Sequence, residues 1–128
     1  MDNVTNKTVL HDMVVYRFLQ LTMVFLEFSF ERNPDLVSLC HPADTDEKIK
    51  LVELSSEVEG TVEFFYLPKG NYFWACYTAE SFKAEVLFQY NFQRADIQMG
   101  TLNYFEGDET MALAWAEKFL NDLEDIFF

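Results

Sequence analysis

This chain has little of what usually carries chemistry. It holds two histidines and two cysteines in 128 residues. Cys40 and Cys76 stand far apart and in no zinc-type spacing, and a small secreted disulfide scaffold would be denser in cysteine. Both thiols are therefore expected to be reduced and structural. Only four glycines and three prolines are present, which excludes low-complexity linkers. No glycine-rich phosphate loop, G-x-S-x-G elbow or H-E-x-x-H pair occurs. Basic residues number nine against twenty-two acidic ones, so phosphate repulsion excludes direct binding to DNA or RNA. Long uninterrupted apolar runs are missing too. The stretch 9–30 is broken by His11, Asp12, Arg17, Gln20 and Glu27, whereas a membrane span needs about 20 nearly continuous apolar residues. The sequence opens Met1-Asp2-Asn3, with no basic region leading into an apolar run and a cleavage site. A cytoplasmic protein with no membrane partner is the expectation.

Acid and aromatic residues are what the chain has in excess. The formal net charge is −13, yet half the residues are apolar, including fourteen Phe, six Tyr and two Trp. A disordered acidic tail lacks such apolar content. A small domain stays soluble at a net charge of roughly 2–8 in magnitude, and further like charge opposes folding. A cationic partner accounts for the surplus most simply. The length fits one domain spanning 1–128, and no internal repeat or composition break divides it.

Hydrophobic periodicity sets out the elements. Leu10, Met13, Val14, Phe18 and Leu21 recur at helical steps behind a cap at Asn6 or Thr8. From Val24 the pattern alternates through Phe30, which predicts a strand, with a turn at Arg32-Asn33-Pro34-Asp35 and a short strand over 36–40. Further strands are expected over 49–54, 62–67, 72–78, 84–92 and 97–104. Pro68-Lys69-Gly70-Asn71 marks a hairpin, and a β-bulge at Gly100 is needed to keep the last strand in phase. Gly107-Asp108 caps a final helix with the apolar stripe Leu113, Ala116, Phe119, Leu120, Leu123 and Phe127. The expected fold is α+β: an antiparallel meander of about five or six strands, with an N-terminal helix and a C-terminal amphipathic helix on one face.

The acids cluster. One group is Asp44, Asp46, Glu47, Glu53, Glu57, Glu59 and Glu63. The other is Glu106, Asp108, Glu109, Glu117, Asp122, Glu124 and Asp125. Asp108 and Glu109 sit at a helix start, where anions are favoured. Asp122, Glu124 and Asp125 sit at the opposite end, where each misplaced charge costs roughly 0.3–1 kcal/mol at low salt. Local stability does not account for them. Asp108, Glu109, Glu117, Asp122, Glu124 and Asp125, with Asp44, Asp46 and Glu47, are therefore the expected partner-binding residues. The hairpin poses a second question. Phe64, Phe65, Tyr66, Tyr72, Phe73, Trp74 and Tyr77 occupy both its faces, and helices can cover only one. The other meets a loop, solvent, a second copy or a partner, and aromatics rimmed by acids fit the anatomy of a binding hot spot.

Catalysis finds no support. Cys40 and His41 are sequence neighbours, which rarely face each other as nucleophile and base. His11, Cys40, His41 and Cys76 lack metal-ligand spacing. The chain is read as a non-enzyme without metal or cofactor: an inhibitory binder of a basic nuclease or other nucleic-acid-binding protein. Immunity proteins and phage anti-defence proteins, some of them nucleic-acid mimics, are of this class. The segment Ala116-Glu117-Lys118-Phe119-Leu120 through Leu123-Glu124 is similar to the final helix of type III secretion chaperones. That resemblance implies a second function, a homodimer that holds a protein substrate. The chain departs from those chaperones in lacking their N-terminal leucine–glycine signature and a helix between the third and fourth strands.

Overall fold

In a computed structural model, residues 2–56 and 60–127 are described, with side chains over 9–55 and 60–123. The element order is α1 (Asp2–Arg32), a 3-10 helix (Pro34–Leu39), strands β1 (Ile49–Ser56), β2 (Gly60–Leu67), β3 (Tyr72–Thr78), β4 (Phe82–Asn91) and β5 (Asp96–Gly107), then α2 (Glu109–Phe127). The strands form one antiparallel meander in the order β1-β2-β3-β4-β5. The α+β expectation holds, with five strands.

The expected strand over 24–30 is instead the second half of α1. No glycine or proline interrupts the chain before Asn33-Pro34, where the helix stops. Val14, Phe18, Leu21 and Phe25 are buried at helical spacing. Thr22 and Ser29, buried beside them, donate to the carbonyls of Phe18 and Phe25 at 2.7 and 2.8 Å. Phe25 should face outward in a strand. It packs edge-on against Phe64, with ring centroids 4.8 Å apart, and against Phe119 at 5.7 Å. Burial of this broad apolar face outweighs the strand preference of its aromatic and β-branched residues. Over Val9–Arg32, α1 is long and apolar enough to cross a membrane, and 33% of its apolar stretch is buried in the fold. The expected strand over 36–40 is also replaced. Pro34 opens a 3-10 helix with no buried residue, because proline suits a first helical turn.

Turn chemistry fixes the sheet. Gly70 and Asn71 take positive φ in the β2–β3 turn, and Asn71 accepts a hydrogen bond from the Tyr66 hydroxyl at 2.7 Å. The expected bulge appears as a register shift opposite Leu87 and Gln89, with positive φ at Met99, next to Gly100. A second shift falls opposite Glu85 and Val86. Asp108 caps α2 by accepting from the Met111 amide at 3.0 Å.

Both helices pack on the sheet face that carries Phe64, Tyr77 and Phe82. Phe18 meets Tyr77, Phe82 and Trp115 at 5.2, 5.7 and 6.3 Å. Trp115 stacks on Phe119 at 5.2 Å. Ala112 and Ala116, fully buried, are small enough to bring α2 close. The pairs His11–Glu109 and Arg17–Glu117 set α1 and α2 side by side and parallel.

Candidate protein-binding face

The opposite sheet face has no helix over it among the described residues. Its composition follows from strand alternation and register. Phe64, Tyr66, Phe73, Ala75, Val86 and Phe88 are buried toward the helices, so the residues between them point away. Hydrogen-bonded register aligns these outward residues into cross-strand rows. One row is Lys50, Phe65, Trp74, Leu87 and Thr101. The next is Glu53, Glu63, Cys76, Glu85 and Tyr104. A third holds Ser55, Thr61, Thr78, Lys83 and Glu106. An apolar strip thus lies directly beside a row of carboxylates.

The strip is half-buried and already carries a cation. Phe65 and Trp74 lie 5.4 Å apart, tilted by 34°. The Lys48 ammonium, from the loop before β1, sits 4.5 Å from the Trp74 ring and 4.9 Å from Phe65. Aromatic faces attract cations in this geometry. Trp74 Nε1 is shielded from solvent and has no acceptor among the described residues.

In the acidic row, Glu53 and Glu63 are direct cross-strand partners, a repulsive arrangement. Lys50 relieves it by contacting both, at 2.8 and 3.0 Å, and its own pKa is raised by these hydrogen bonds. Cys76 separates Glu63 from Glu85, and its thiol lies 3.8 Å from Glu85. Burial first, then the charges of Glu85 and Glu63, push that thiol up to about 12. It is a neutral spacer at neutral pH, and no nucleophile. Tyr104 donates to Glu106, which raises the phenol's pKa because ionisation would forfeit the bond. Neither Glu85 nor Glu106 has an ion-pair partner among the described residues.

The acids expected to bind a partner lie on α2, at its cap and in the loop before β1. Asp108 is the α2 cap. Glu109 contacts His11 at 3.0 Å, and Glu117 contacts Arg17 at 3.5 Å. Asp122 is exposed on α2, on the far side of the sheet from the carboxylate rows. Glu124 and Asp125 lie in the α2 backbone range, with side chains outside the described residues. Asp44, Asp46 and Glu47 are exposed in the loop before β1. Only Asp46 of these makes an ion pair among the described residues, with Lys69 at 3.4 Å. Glu57 and Glu59 lie outside the described residues. Glu53 and Glu63 are brought together with Glu85, which neither sequence cluster contained.

The other chemistry-bearing residues do not converge. Cys40 is buried and donates to the Leu36 carbonyl, its thiol pushed up to about 12 by burial, while His41 is exposed. No group of three metal-ligating side chains gathers among the described residues. Comparison with protein-family models, with curated proteins and with solved structures gives no significant match to this chain.

Proposed function

We propose that this protein is a non-catalytic binder of a basic protein, acting as an inhibitor of the immunity or anti-defence type, and that it docks its target on the open sheet face. One observation carries the reading. A face with no helix over it among the described residues sets an aromatic strip, with a lysine seated on it, beside the carboxylates Glu53, Glu63 and Glu85. Lys48 indicates the ligand chemistry. An arginine of the partner can replace it over Trp74, stacking on the indole while its neighbours meet the carboxylate row. Aromatic anchors rimmed by charge are the usual carriers of binding energy. The carboxylates steer the encounter. A basic nuclease or other nucleic-acid-binding protein presents such a surface, and fixed carboxylates on a rigid sheet can occupy its phosphate-binding groove.

Titration with an arginine-rich peptide, followed by two-dimensional NMR, tests this. Shifts are expected at Glu53, Glu63 and Glu85, and at the Trp74 indole N–H. Shifts confined to residues 44–47 and to α2 would overturn the choice of face. In a lysate of the native host, wild-type bait should retain a basic protein that salt releases. A Trp74→Ala/Glu63→Lys/Glu85→Lys bait should lose it, and Asp122→Lys should not. The second reading, a secretion-chaperone-like dimer, draws on a different feature, the apolar groove between α1 and β5.

A further inference from the structure

The side of α1 turned away from the core is unusually apolar. Val9, Met13, Tyr16, Gln20, Met23 and Glu27 follow one another at alternating steps of four and three, the spacing of a helix-pairing seam. Val9, Met13 and Tyr16 are 52%, 44% and 65% exposed. Between α1 and β5 the seam is flanked by a groove of about 480 Å³ lined by Tyr16, Leu19, Gln20, Met23, Ile97 and Gly100. Gly100 lets the strand run close to the helix, since a Cβ there would stand 3.1 Å from Leu19 Cδ2.

We infer that this seam and groove take a second copy of the same chain, α1 against α1 in antiparallel two-fold pairing centred on Tyr16. Charge selects the occupant. A chain of net charge −13 repels its twin wherever carboxylates face each other, so self-association must use its least acidic surface. The seam holds one carboxylate, Glu27, at its end. Parallel pairing would stack Glu27 on its twin and align the two helix dipoles. Antiparallel pairing about Tyr16 sets Val9 against Met23 of the other copy and places the two Glu27 side chains at opposite ends of the seam. Gln20, the polar residue inside the seam, already accepts a hydrogen bond from Arg17 at 2.8 Å. Arg17 is held in turn by Glu117. A basic partner would gain nothing here that the carboxylate face does not offer better, and β5, kinked by two bulges, is a poor edge for strand addition.

Sedimentation equilibrium of the full chain tests the inference, which does not depend on the proposed function. Wild type is expected to be a dimer at micromolar concentration. Tyr16→Glu should weaken it roughly 30-fold or more, the cost of one hot-spot residue. Trp74→Ala, on the other face, should leave it intact. Tyr16 is well exposed, so its substitution should keep the melting temperature of the monomer. Because Tyr16 meets itself across the axis, mixing Tyr16→Glu with Tyr16→Lys should restore a dimer that neither forms alone. A monomeric wild type, a dimer indifferent to Tyr16→Glu, or no rescue on mixing would each overturn the inference.

Discussion

The buried hydroxyl pair at the centre of the core offers a prediction that can be worked in numbers. Tyr77 is fully buried, and its hydroxyl lies 2.6 Å from Thr22 Oγ1. Thr22 spends its one hydroxyl proton on the Phe18 carbonyl at 2.7 Å. The chain of donation therefore runs from Tyr77 to Thr22 to Phe18, and burial raises the Tyr77 pKa well above its ordinary value. Thr22→Val keeps the branched shape but leaves the tyrosine hydroxyl with no acceptor. A buried unsatisfied group costs about 1–3 kcal/mol. Tyr77→Phe removes the donor instead. The threonine keeps its bond to Phe18, so the loss is that of one hydrogen bond, about 0.5–1.5 kcal/mol.

The double variant removes both polar groups together and should cost less than the two single changes summed. The expected coupling is about 1 kcal/mol, within the range for groups sharing a hydrogen bond. Urea denaturation of the four proteins measures it, with about 3–5 °C of melting temperature per kcal/mol as a second readout for a domain this size. Additivity within about 0.5 kcal/mol would refute the reasoning. So would a Tyr77→Phe variant less stable than Thr22→Val.

Phe25→Ala should cost about 3–5 kcal/mol in equilibrium unfolding, well above Phe28→Ala. The reverse order would restore the strand expected over 24–30, in which Phe25 points outward. Stability should also fall in alkali. Cys40 and Cys76 titrate near 9 in a model peptide and are pushed up to about 12 here. Their stabilising contribution is complete below pH ~9 and is lost as pH rises toward ~12, because the unfolded chain releases these protons first. Both thiols should accordingly resist an aromatic disulfide reagent at pH 8 until the protein is unfolded, and rapid modification of the native protein would contradict their burial.

Most of the meander was legible because its signals are local. Proline, glycine and asparagine mark the β2–β3 turn, alternation marks β4, and Asp108 announces α2. The second half of α1 was not. Val24, Leu26, Phe28 and Phe30 alternate as a strand does, but Leu21, Phe25 and Ser29 in the same stretch fit one helical face, and only packing against Phe64 and Phe119 decides between them. The candidate face was half legible. Aromatics on both faces of the hairpin were evident, but which ones lay away from the helices depended on the side the helices chose. The carboxylate row was missed because acids were grouped by sequence proximity, while Glu63 and Glu85 meet across β3. The signal was present in the turn: a hairpin through Pro68-Lys69-Gly70-Asn71 pairs Leu67 with Tyr72, and hence Phe65 with Trp74 and Glu63 with Cys76.

Charge separates the two proposed contacts more sharply than shape does. Among the described cations, Arg17, Lys50 and Lys69 contact carboxylates and Lys48 contacts aromatic rings. Exposed carboxylates stand on loops, on α2 and on the open sheet face, whereas the α1 seam itself holds one carboxylate, Glu27. Added salt screens repulsion between two copies and attraction to a basic partner alike. The dimer should tighten as salt rises, and the complex with a basic protein should loosen. Opposite salt slopes are what two distinct surfaces require; if both interactions weakened together, one acidic face would be serving for both, and the division between seam and sheet would be wrong.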